Sequence, residues 1–212
     1  MLHAATDSNA RTPHLPQLNA EEVAARFAET TRLWHLCEDT PAASDLLLQL
    51  HQANFQLWHL EDRARDPHAT DSVIAEVKRS IDRTNQRRND LVERLDDSLL
   101  AALAEHSLPA DDVPLHSETP GMILDRLSIL SLKIFHTAEE TERTDASEEH
   151  RQKNHARLEV LRRQRTALTG CLRDLWSETL QGKRRFSLYR QMKMYNDPDL
   201  NPVLYRATKD SA

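Results

Sequence analysis

Glycine occurs only three times in 212 residues, at Gly121, Gly170 and Gly182, where average usage would place roughly 15. Folds built on tight turns and positive φ consume glycine. A phosphate-cradling loop, a dinucleotide-binding unit and a turn-rich β-sandwich each need it at set positions. Three glycines cannot supply them. The remaining solution is a chain that reverses seldom, between long runs of helix, and apolar residues do recur at three- and four-residue steps over most of the length. With 39% hydrophobic and 29% charged residues the chain can bury one core, and it is too short for two full domains.

The expected fold is all-α: an antiparallel bundle of about five helices, two of them long, carrying a basic-aromatic C-terminal tail. Residues 1–18 read as a disordered leader, 19–205 as a single helical-bundle domain and 206–212 as a flexible tail. Asn19 with Glu22 reads as a capping box opening a first helix to about Cys37. A second starts near Ser44 or Asp45 and stops before Pro67. The third, from about Thr70 to His106, places Ile74, Val77, Ile81, Asn85, Arg88, Val92, Leu95 and Leu99 on one stripe. After a proline-punctuated crossing, Thr119-Pro120 starts a fourth helix, which frays into the charged run from Glu139 to Asp145. The fifth opens on a second capping box, Asp145 to Glu148, and stops at Gly182.

Polar residues stand where the helical period calls for apolar ones: Asn54, Glu61 and Arg65 on the second helix, Asn85 and Arg88 on the third, Arg165 on the fifth. Unpaired buried charge is costly, so these residues should pair across the bundle or line a wet cavity. The adjoining stripe His51, Phe55, His59, Asp62 adds titratable groups. The plain alternative is a register-setting polar network. Pairs such as His59 with Asp62 and His136 with Glu140 have ligand spacing, yet no Glu-x-x-His occurs, so neither a metal site nor a cofactor is expected. At the start of the fourth helix, Thr119, Pro120 and Gly121 leave N–H groups for an anion, with Asp125, Arg126, Lys133 and His136 following. In the tail, Lys183, Arg184, Arg185, Arg190 and Lys193 alternate with Phe186, Tyr189 and Tyr195, a mixture that can hold phosphate and stack a ring.

A formal net charge of -6 argues against general nucleic-acid binding. Cys37 and Cys171 lie far apart without a CxxC, which suggests neither disulfide nor zinc framework. The polar start carries no secretory pattern and no run is long enough to span a bilayer, so a cytoplasmic protein is expected.

The segments NFQLWHLEDRARD, IDRTNQRRNDLVERLD, LHSETPGMILDRLSILSLKIFH and KRRFSLYRQMKMYNDPDLNPVLY together resemble a bacterial family known as domain of unknown function 4254. The resemblance runs from about Leu50 to Tyr205. It implies a setting near glycosyltransferases in lipopolysaccharide or surface-polysaccharide gene clusters, and hence a role in glycan assembly. The combined expectation is a pocket for a phosphorylated sugar or nucleotide sugar. Asn54, Arg65, Asn85, Arg88, Arg126, Lys133, Arg165, Arg190 and Lys193 would bind it, Trp58 and Tyr189 would stack, and His59, Glu61, Asp62 or Asp125 would move a proton if chemistry occurs. Whether the chain is an enzyme stays open. The competing expectation is a non-catalytic adaptor that docks on a glycosyltransferase or on a second copy of itself.

Overall fold

The computed structural model describes residues 17–38, 40–192 and 199–202. Its five helices are α1 (Ala20–Trp34), α2 (Leu46–Arg63), α3 (Asp71–Ala104), α4 (Pro120–Glu142) and α5 (Glu148–Leu180). Lys193, Tyr195, residues 1–16 of the expected leader and the expected tail 206–212 lie outside the described residues.

Each helix begins where a short polar side chain satisfies a free N–H group. Asn19, Asp45, Thr70 and Thr119 accept from the N–H of Glu22, Leu48, Val73 and Met122 respectively. Proline at the first position of α4 loses no bond, because that N–H is free in any helix. α5 departs from the expectation. Its cap is Ser147, whose hydroxyl accepts from His150 N–H at 3.2 Å, while Asp145 is drawn off by the Arg143 guanidinium at 3.0 Å. Nor does α4 fray from Glu139; it stays helical through Glu142. Gly182 ends α5 with φ of +65°, a conformation that favours glycine.

Short links fold α2 with α3 and α4 with α5 into two antiparallel pairs, and α4 also touches α1, α2 and α3. The central core therefore draws on all five helices: Phe27, Leu50, Leu91, Leu127 and Leu172 are among its members. A second cluster sits along the α2–α3 pair, where Val77 and Ile81 meet Leu57. Ile74, expected in that stripe, is 39% exposed.

The described part of the tail folds back. His116 N–H donates to the Arg185 carbonyl at 2.7 Å and Arg185 N–H to Pro114 at 3.1 Å, a single parallel bridge that ties the crossing loop to the exit of α5. Phe186 is thereby buried against Leu103 and Trp176. Farther on, Gln191 N–H and the Arg190 guanidinium reach Glu93 of α3. Among the described residues no helix is long and apolar enough to cross a membrane.

Candidate functional site

Steps of four and three residues put Asn54, Trp58 and Glu61 on one face of α2, and Arg65, expected on the helix, follows in the turn just past its C-cap Ala64. Packing that face across from Asn85 and Arg88 of α3 and Ile129 and Leu132 of α4 leaves a cleft of about 380 Å³, with Asp62 at its edge. Seven of the residues singled out in the sequence meet there.

Below the cleft lies Asp125 of α4. Asn54 donates to its Oδ1 at 2.8 Å, and the Arg88 Nε stands 3.9 Å from the same oxygen, close enough for charge attraction and too far for a hydrogen bond. Burial pushes the Asp125 carboxyl above its ordinary range, against the opposite pull of Asn54 and Arg88. The Arg88 Nε itself is buried without a hydrogen-bond partner. Arg65, at the outer rim, is engaged with the carboxylate and carbonyl of Glu61.

From Asn54 a polar chain continues inward. The same amide donates to Ser128 Oγ at 3.0 Å, Ser128 meets His51 Nδ1 at 2.8 Å, and His51 Nε2 meets Thr31 Oγ1 at 3.0 Å. The Thr31 hydroxyl proton is committed to the Phe27 carbonyl. His51 must therefore donate from Nε2, which leaves Nδ1 to accept from Ser128. Every member has its partners, and Thr31, His51 and Ser128 are fully buried. Burial pushes the His51 pKa down to about 3, so the ring is neutral at ordinary pH.

The single expected pocket divides. Arg126 and Lys133 line a separate groove of about 540 Å³ between α4 and α5, together with Gln164 and Cys171, and only Ile129 is shared with the cleft. Tyr189 and Arg190 lie in a third, small cavity beside Glu93 and Asp96. Arg165 lines none of these three, and His59 turns from the cleft toward His35 and His136. Helical rotation explains the split: Arg126 and Lys133 stand about a quarter turn or more around α4 from Asp125 and Leu132.

The start of α4 corrects a second expectation. One of its N–H groups does meet an anion, but the anion is the protein's own Asp96. That carboxylate accepts from Gly121 N–H at 2.7 Å and from the Thr119 hydroxyl. His136 and Glu140 also part company, His136 bonding Glu139 and Glu140 bonding His150 and Arg143.

A family model described as Protein of unknown function (DUF4254) matches residues 44–188. The chain belongs to the DUF4254 family. No curated protein and no solved structure matches it. In this DUF4254 protein the matched stretch holds every cleft residue and Asp125, while α1 precedes it, so the bond from His51 to Thr31 joins the family region to the helix before it.

Sequence reasoning missed Thr31, His51 and Ser128 as a set and Asp96 as a cap. The hydroxyls sit singly on apolar faces, His51 falls in the stripe with Phe55, His59 and Asp62 and not with those hydroxyls, and the pair Asp96-Asp97 looks like an ordinary solvated run. The one usable signal was Gly121, a glycine inside a helix start, which marks a close approach.

Proposed function

We propose that this DUF4254 protein binds a small phosphorylated sugar in the cleft between α2, α3 and α4. The observation that carries this reading is Arg88: a guanidinium in the wall of the cleft, its side chain 27% exposed and paired only loosely with Asp125 at 3.9 Å. A phosphate oxygen suits such a group, since charge-assisted bonds from arginine to phosphate are among the strongest polar contacts. Trp58 supplies a flat apolar wall for a sugar ring, and Asn85, Glu61 and Asp62 supply polar groups for its hydroxyls. A cleft of about 380 Å³ lies toward the lower end of ligand sites, which favours a sugar phosphate over a whole nucleotide sugar. Asp125, with its raised carboxyl, is the group suited to proton transfer should the bound ligand react. Binding, rather than turnover, is what this geometry supports. A place in surface-polysaccharide or lipopolysaccharide assembly rests on the family resemblance alone.

The adaptor reading has one observation in its favour, the self-satisfied chain from Thr31 to Asn54, which suits a network that sets helix register. Titration calorimetry with glucose 1-phosphate and mannose 1-phosphate, against glucose and inorganic phosphate, separates the two. Saturable binding of a sugar phosphate, weakened about 10- to 100-fold in a folded Arg88→Ala variant, is expected from the loss of one charged contact. Silence across the panel, with Arg88→Ala and Glu61→Ala altering stability alone, is the adaptor's signature.

A further inference from the structure

Behind Trp58, outside the sugar-phosphate cleft, three histidines from three parts of the bundle come together. His35 caps the C-terminus of α1, His59 lies on α2 and His136 on α4. Their ring centres are 4.8 Å apart for His35 and His136, 5.2 Å for His35 and His59, and 6.1 Å for His59 and His136. Two imidazoles bound to one tetrahedral zinc through nitrogens at about 2.0–2.1 Å have ring centres roughly 5 Å apart.

The hydrogen bonds determine which nitrogens are free. His35 Nδ1 lies 2.7 Å from the Thr31 carbonyl, which can only accept, so Nδ1 holds the proton and Nε2 the lone pair. His136 Nδ1 lies 2.9 Å from the Glu139 carboxylate, with the same result. Both Nε2 atoms are buried and without a hydrogen-bond partner. An imidazole whose Nδ1–H is held by a carbonyl or carboxylate, with Nε2 left bare, is the usual setting of a metal-ligating histidine. Ring packing does not answer the need: Phe135 stacks on His35 and Trp58 on His136, contacts that satisfy faces and leave the in-plane lone pairs dry.

As the side chains stand, no three His, Cys, Asp or Glu among the described residues are arranged to hold a metal ion. The third ligand has to turn in. His59 has that freedom, because its side chain is 41% exposed and its nearest carboxylate, Asp62, is 4.0 Å away. We propose that His35 and His136 form a waiting two-histidine seat for a zinc-like transition-metal ion, and that His59 rotates to complete it. Three neutral imidazoles suit zinc and its neighbours over magnesium or calcium.

The test uses the full chain freed of metal by a chelator. Calorimetry with Zn²⁺ and the visible spectrum with Co²⁺ are read in the parent protein and in His59→Ala, His136→Gln and His155→Ala. The expected result is one equivalent of metal, a cobalt spectrum of low coordination number, affinity at least 10-fold weaker in His59→Ala and His136→Gln, and no change in His155→Ala. His59→Ala removes a partly exposed ring, so it keeps the test valid if His136→Gln unfolds. Absence of binding overturns the proposal, as does uptake that survives both variants or that follows His3 and His14 in a double-alanine variant. Ordered water would then be the partner of the two bare nitrogens.

Discussion

A β-carbon placed on Gly121 would lie 2.7–2.8 Å from the Asp96 carboxylate, inside contact distance. Gly121→Ala should push that carboxylate off its two bonds and cost about 1–3 kcal/mol, read by urea unfolding. The same carboxylate carries a pH signature. Burial raises its pKa from 3.8 to about 6, ahead of the opposing bonds from Thr119 and Gly121. The folded chain then holds that proton more tightly than the unfolded one, so the stability it contributes is full below about pH 4 and is lost as pH rises to about 6. His51 does the reverse. Its folded pKa of about 3 means that stability is lost as pH falls from about 6.5. Between pH 4 and 6 the two slopes oppose each other at about 1.4 kcal/mol per unit each. The stability of wild type minus that of Asp96→Asn should therefore fall by that slope as pH rises through this window, in unfolding curves taken at half-unit steps. A flat difference would show that Asp96 is ionised throughout. Legibility at this scale followed polarity: Asn54, Glu61, Arg65, Asn85 and Arg88 were readable because charge or amide broke an apolar stripe. Asp96 and Ser128 broke nothing visible, and their roles depend on which helix arrives opposite.

Among the elements, the caps were the most readable feature, since a short polar side chain before a periodic apolar run has one strong use. α5 shows where that reading fails. Asp145-Ala146-Ser147-Glu148 offers two cap candidates two residues apart, and both satisfy local rules. The choice was made by Arg143, which holds Asp145 with its guanidinium and leaves Ser147 to accept from His150 N–H. Ser147→Ala should lower stability by about 1 kcal/mol, while Asp145→Ala, which loses only an exposed ion pair, should change it by a few tenths. Thermal melts of the two variants side by side check the assignment; equal losses would return the cap to Asp145. The division of the expected pocket belongs to this scale as well. Three- and four-residue spacing tells which residues share a face of one helix. It cannot tell which neighbour covers that face, and α5 rather than α2 covers Arg126 and Lys133.

The whole molecule is held at one end by its tail. Phe186 closes over Leu103 and Trp176, and the bridge between Leu115 and Arg185 fixes the crossing loop beneath it. Phe186→Ala should cost about 3 kcal/mol, as for other buried aromatic truncations, in a urea titration; a loss under about 1 kcal/mol would mean that the tail is only laid on the surface. The basic-aromatic composition of this segment was plain in the sequence, but its fold-back was not, because two backbone bonds to Pro114 and His116 leave no mark on side-chain pattern. The contact of α4 with each of the other helices sets how the molecule breathes. A helix packed on four neighbours exchanges its central amides with solvent only when the bundle opens as a unit. Amides around Ser128 should thus be the slowest to take up deuterium, and those of the first turns of α3, beside the exposed Ile74, among the fastest. The cleft adjoins that slow centre, so its walls on α2, α3 and α4 should part only when the bundle opens as a unit, and not on the timescale of a loop.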